Sequence, residues 1–292
     1  FAHFMRNPQK FRPGIVMPNY WPGGEAVRKD VLTGNPNEQL LALWHYFSLG
    51  RSARDPSGIR AEGTNLKVTN RTRVYRGRSR VAGYRGIAVG FPGGMNYAFN
   101  AQNGTLSALW SGEFVSVYWG GQGAGNFNPR GRPIELVQDV AFYRLAKNEA
   151  SWPLQPVMDK ENPVNPDPLY PRNRGYQFMG YQLDGEGVPT FMYRTGEVAV
   201  EDTVYGVVSN RVNQLERRLR FDASKSETLY FRALTGQVRS LSPAQFATDA
   251  VKAQVPKNTA LLRGEGDAQE LLLKLKLPKG KSEIKIHYEL LR

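Results

Sequence analysis

From about residue 66 onward the chain repeats one theme. A short run rich in valine, tyrosine, phenylalanine or tryptophan is followed by a glycine or an asparagine. RVYRGRSRV, RGIAVGF, MNYAFNA, LSALW and EFVSVYW succeed one another in this way, and YQFMGYQLD, GVPTFMYRTG, VAVEDTVYGVV, RRLRFD and TLYFRALTG carry it further. β-Branched and aromatic side chains suit a pleated surface, and glycine and asparagine accept the backbone angles of tight turns. Runs this short leave no room for long helices. The pattern predicts a mainly β protein, a large antiparallel β-sandwich. Aromatics at 11 % with 30 Gly and 19 Pro agree with a chain of many turns and speak against a helical bundle.

Local signals refine this picture. AFNAQNGTLSALW reads as a hairpin turning at Asn103-Gly104, and LDGEGVPTF as a turn in which Gly185 and Gly187 are free to take positive φ. SPAQFATDAVKAQV predicts a short helix, whereas ELLLKLKLPKG and SEIKIHYELLR alternate as strands do. GGQGAGNFNPRGRP is a glycine-rich loop without the lysine-and-hydroxyl ending of a phosphate loop. Residues 151–174, dense in proline and asparagine, form a second long irregular segment. No run of about eighteen apolar residues exists, so no membrane-spanning helix is expected.

The amino-terminal residues are different. FAHFMRNPQKF reads as a helix entered partway, which implies polypeptide upstream of Phe1. FRPGIVMPNYWP has too many breakers for a helix or an interior strand. NPNEQLLALWHYFSLG then predicts a helix, with Asn35 as N-cap, Pro36 in the first turn, and Leu40, Leu43, Trp44 and Phe47 as one apolar stripe. The expected division is a small helical domain over 1–50, a linker over 51–65 and the β domain over 66–292.

The net charge of +13, from 39 Lys+Arg against 26 Asp+Glu, is spread along the chain. Its densest piece, TNRTRVYRGRSRVAGYRG, alternates arginine with small or apolar residues, the pattern of a strand with one wet face. No nucleic-acid-binding motif accompanies it, so no nucleic-acid partner is expected. Cysteine is absent, which excludes disulfides and thiolate chemistry within the chain. His3, His45 and His287 are too scattered for a metal cluster.

Two sets of residues carry candidate function. A methionine held on a Pro/Gly-rich loop and followed by an aromatic helix suits a thioether as axial ligand of haem iron. The residues Asn7-Pro8, Phe11-Arg12-Pro13-Gly14, Met17-Pro18, Tyr20-Trp21, Gln39-Leu40, Leu43 and Tyr46-Phe47 resemble the C-terminal half of a class I c-type cytochrome domain, of the kind fused to larger proteins in planctomycete-like bacteria. That resemblance covers about the first fifty residues and implies haem c, with Met17 as distal iron ligand. It implies a pocket made by Arg12, Pro13, Gly14, Pro18, Tyr20, Trp21, Leu43 and Tyr46. The C-x-x-C-H attachment motif is nowhere in the chain and is expected upstream. The resemblance further implies electron transfer in a periplasmic or secreted multidomain protein, with a redox partner protein or a fused dehydrogenase module.

The alternative is a carbohydrate-binding or carbohydrate-active β-sandwich. Tyr97, Trp110, Tyr118 and Trp119, beside glycine loops, are candidates for a platform under sugar rings. Glu113, Asp184, Glu186, Glu201 and Asp202 are the carboxylates available for acid/base work, and spacing alone pairs none of them across a cleft.

Overall fold

The computed structural model describes residues 1–15, 17–54, 64–119, 125–157, 166–209 and 212–291. The chain divides into two compact units, Phe1–Ala61 and Glu62–Arg292. Much of the segment expected to be a linker, residues 55–63, lies outside the described residues, as does part of the glycine-rich loop at 120–124.

The first unit carries short helices at Ala2–Arg6 and Pro8–Phe11 and a longer one at Pro36–Ser48. The longer helix starts where its cap residues dictate: Asn35 Oδ1 accepts from the backbone N–H groups of Asn37 and Glu38, and Pro36 occupies the first turn. Only part of the expected stripe turns inward. Leu40 is buried and Leu43 half-buried, while Trp44 and Phe47 are exposed against the ring of Phe1. The core of this unit is Met5, Trp21, Ala26 and Leu40, with Phe4, Met17 and Leu43 packed on it. Gln39 ties it together. It accepts from Trp21 Nε1 at 3.0 Å and donates to the carbonyls of Arg28 and Val31 at 2.8 and 2.7 Å.

The second unit is mainly β, and among the described residues every strand pairing is antiparallel. A five-stranded sheet contains Arg73–Ser79, Gly83–Gly90, Met95–Asn100, Thr105–Ser111 and Ile134–Glu135, in that spatial order. One of its faces shares a core with an eight-stranded sheet and a four-stranded sheet: Ile87, Val89, Tyr97 and Phe99 meet Phe191, Tyr193, Leu219 and Leu273. The rings of Phe99 and Phe191 stack there at 3.9 Å.

The opposite face is built from small residues. Ala88, Ala98 and Ala108 are cross-strand partners in one row, and Gly77 pairs with Gly86. Over this smooth face lies a three-stranded sheet, Thr64–Leu66, Val115–Tyr118 and Asn126–Pro129, whose Val115, Val117 and Phe127 point inward. A Cβ added at Gly77 would fall 2.4 Å from the Gly125 carbonyl oxygen, and one at Gly90 would fall 2.6 Å from Phe114. The small side chains therefore let the two sheets close on each other. Because both faces of the central sheet are covered, its middle strands, Met95–Asn100 and Thr105–Ser111, are buried almost throughout.

The Asn103-Gly104 turn forms as its residues require, with Gly104 at φ +80°. Gly187 takes φ +80° in the second anticipated turn, but Gly185 does not need the left-handed region. The helix expected over SPAQFATDAVKAQV is instead two strands, Gln245–Ala247 and Val251–Gln254. Thr248 explains the difference. Its Oγ1 accepts from the N–H groups of Ala250 and Val251, which closes a turn in the middle of the segment and puts Phe246, Val251 and Ala253 into the core. Among the described residues no helix is long and apolar enough to cross a membrane.

Candidate glycan-binding face

The outer side of the three-stranded sheet follows directly from strand alternation. With Val115, Val117 and Phe127 turned inward, Ser116, Tyr118, Asn126 and Asn128 must face outward. Register places Asn65, Ser116 and Asn128 in one cross-strand row and Tyr118 opposite Asn126. Tyr118 is 60 % exposed and Trp119, the next residue, 57 %. The Trp119 ring stands edge-on to Tyr75 at 6.2 Å, and the Tyr75 hydroxyl donates to the Gly125 carbonyl at 3.1 Å, so the indole has a fixed neighbour. The side chains of Asn65, Ser116, Tyr118, Asn126 and Asn128 have no hydrogen-bond partner among the described residues. The result is an uncharged surface of amides, a hydroxyl and two aromatic rings, with its polar groups free for a ligand.

The four aromatics singled out from the sequence thus separate. Tyr118 and Trp119 reach the surface. Tyr97 and Trp110 are fully buried, because they alternate into the two faces of the central sheet. The three amides were missed. The run NFNP carried the signal, since an inward Phe127 forces its asparagine neighbours outward.

The carboxylates assemble no acid/base pair. Glu113 is held by Arg130, whose Nε donates at 2.6 Å. Asp184 shapes its turn by accepting from the N–H groups of Glu186 and Val188, each at 2.9 Å, and Glu186 lies exposed in the same turn. Glu201 and Asp202 are consecutive on a strand and so leave it on opposite faces. Glu201 sits 4.0 Å from Arg220 on the wet face. Asp202 is fully buried and accepts from Arg217 Nε at 3.0 Å, Arg217 Nη2 at 2.6 Å and the Tyr193 hydroxyl at 3.0 Å. Burial by itself would lower the Arg217 pKa, but the charge and hydrogen bonds of Asp202 hold it above the ordinary arginine value. This pair has no access to a ligand and belongs to the framework. The sequence carried a signal for it: Val198, Val200, Asp202 and Val204 share one phase, as do Leu215, Arg217, Leu219 and Phe221.

The residues named for haem have other surroundings. Met17 packs on the Met5/Trp21/Leu40 core, Trp21 donates to Gln39, Leu43 packs on the same core, and the Tyr46 hydroxyl donates to the Arg54 carbonyl. Arg12, Pro13, Gly14, Pro18 and Tyr20 are exposed.

No family model matches the chain, and no curated protein does. Solved structures similar to it include a mutant of the heparan sulfate lyase HepC from Pedobacter heparinus and a heparinase III with methylated lysines. Each is 10 % identical with a TM-score of 0.33, over 87 % and 88 % of this chain respectively. The chain spans about 40 % of the length of each.

These findings correct the haem expectation. The Met17 side chain fills a gap in an apolar cluster, the chain has no cysteine to attach a haem, and no group of three metal-ligating side chains occurs among the described residues. Electron transfer, haem c, the redox partner and the cytochrome assignment of the first unit fall together.

Proposed function

We propose that the second unit is a carbohydrate-binding β-sandwich module which holds a neutral stretch of glycan on the Tyr118 face, in a periplasmic or secreted setting. One observation carries this reading: two exposed aromatic rings stand beside amides and a hydroxyl that have no partner among the described residues. The C–H faces of pyranose rings stack on aromatic side chains. Each asparagine offers a donor and an acceptor to neighbouring sugar hydroxyls. Binding is favoured over catalysis because Glu113 is paired with Arg130, Asp184 is bonded into its own turn and Asp202 is buried against Arg217.

The test is a titration of the full chain with a panel of neutral oligosaccharides, by calorimetry, for the native protein, Tyr118→Ala and Trp119→Ala. Loss of a ring that stacks on sugar should weaken binding about tenfold, as expected for roughly 1–2 kcal/mol. The reading is abandoned if no glycan binds, or if both variants bind as the native chain does.

A further inference from the structure

A second cleft, of about 720 Å³, opens between the start of the Tyr176–Leu183 strand, the Ala101-Gln102 turn and the Pro168–Arg172 segment. Its volume is in the range that holds small ligands. Arg85, Gln102, Arg172 and Gln177 line it, and among the described residues no acidic side chain does. None of these four side chains has an ion-pair or hydrogen-bond partner among the described residues. The hollow on the wet face of the eight-stranded sheet is as large, at about 790 Å³, but there Arg220 Nε donates to Glu283 at 2.8 Å. The cleft therefore concentrates positive charge that the protein itself does not neutralise.

The walls are fixed. The Tyr176 hydroxyl forms part of the floor by donating to the Ala101 carbonyl at 3.0 Å, and the Ala101 N–H donates to the Arg85 carbonyl at 3.0 Å. Tyr170 accepts from the Val140 N–H at 2.6 Å. Tyr176 remains a neutral phenol: burial, and after it the Asp202 charge, push its pKa well above the ordinary tyrosine value. A ligand thus meets two guanidinium groups and two carboxamides over an uncharged aromatic floor.

We infer that this cleft binds an anionic sugar residue, with Arg85 and Arg172 on its carboxylate or sulfate and Gln102 and Gln177 on its hydroxyls. Guanidinium pairs with planar or tetrahedral oxyanions through parallel N–H bonds, and the amides add the donors and acceptors that a bare ion would not use. The sugar half of this inference rests on the glycan reading; the anion half does not.

The experiment titrates the full chain with a uronate oligosaccharide, a sulfated neutral oligosaccharide, the neutral parent and inorganic sulfate. Native protein is compared with Arg85→Gln, Arg172→Gln and Tyr118→Ala. These arginines are exposed, and thermal unfolding confirms that each variant folds. The expected result is salt-sensitive binding of the acidic oligosaccharides, weakened about tenfold or more by either arginine change and unaltered by Tyr118→Ala. Which of the two acidic oligosaccharides binds tells carboxylate from sulfate. The inference is overturned if the arginine variants bind the acidic sugars as the native chain does, if neither acidic sugar binds, or if inorganic sulfate alone accounts for the binding. If Tyr118→Ala abolishes neutral-glycan binding while the arginine variants change nothing, the Tyr118 face stands and the cleft falls. If the reverse holds, the cleft stands alone.

Discussion

The buried Asp202–Arg217 pair allows a quantitative test of how this core is held. Replacing Asp202 by Asn keeps the shape and removes the charge. Arg217 would remain a cation in a site with almost no solvent, and two of its contacts, from Nε and Nη2 at 3.0 and 2.6 Å, would face a neutral amide. What remains is the Nη2 bond to the Gly104 carbonyl at 3.3 Å and the stacking of the guanidinium over Phe231 at 5.0 Å. Breaking one side of a buried pair costs about 3–5 kcal/mol, since an uncompensated charge is left behind. Removing both charges, as Asp202→Leu with Arg217→Met, leaves only neutral groups to be satisfied, the Tyr193 and Tyr288 hydroxyls and the Gly104 carbonyl, at about 1–3 kcal/mol for any that stays a buried orphan. Removing both partners should therefore cost no more than removing one, a strong departure from additivity. Urea unfolding followed by tryptophan fluorescence and far-ultraviolet circular dichroism measures Asp202→Asn, the single changes Asp202→Leu and Arg217→Met, and the double variant. The reasoning is refuted if Asp202→Asn loses less than about 1 kcal/mol, or if the double variant loses the sum of the two single changes.

Other outcomes follow from single contacts. Tyr97→Phe should stabilise the β unit or leave it unchanged, by up to about 1 kcal/mol, because the buried Tyr97 hydroxyl has no partner among the described residues; thermal unfolding would show it. Gly104→Ala should cost about 1–3 kcal/mol in the same assay, since a Cβ there meets Tyr176 at 2.6 Å with φ at +80°. Gln39→Ala should destabilise the first unit by about 1–3 kcal/mol, by orphaning the Trp21 N–H and two carbonyls, as read from amide exchange over Pro36–Ser48. Glu216 feels burial, which raises its pKa, but the Arg218 hydrogen bond and the charges of Lys285, Arg218 and His287 outweigh it, so the net shift is downward. Its contribution to stability is present above the ordinary glutamate pKa and is lost as pH falls through the depressed folded value. Glu216→Gln should accordingly lower the unfolding midpoint at pH 7 and matter little once the pH is below the depressed folded value.

How much of this was legible in the sequence depends on what each residue's signal had to report. The Asn35 cap with Pro36, and the turn at Asn103-Gly104, were readable because cap and turn chemistry are local. So was the antiparallel, mainly β character. The helix misread at SPAQFATDAVKAQV shows the limit: its alanines favour helix, while the Thr248 turn and the pairing of Val251–Gln254 with the carboxyl-terminal strand decide otherwise. Strand alternation could put Tyr97 and Trp110 inside the sandwich, where they are found, but which face each one enters was not readable. A central strand covered on both faces has no polar side to betray its orientation. Met17 misled for a different reason. A rigid Pro/Gly loop around a methionine looks the same whether the sulfur waits for a metal or fills an apolar gap, and only the neighbours Met5, Trp21 and Leu40 distinguish the two.

The closeness of the two sheets beneath Tyr118 extends the reach of that surface downward. Gly77, Gly86 and the alanine row touch no sugar, yet a single methyl group at Gly77 would have to lift the overlying strands away from their support. Mutational mapping of ligand affinity should therefore register positions a full layer below the contact residues. The footing of the platform is as exacting as its top.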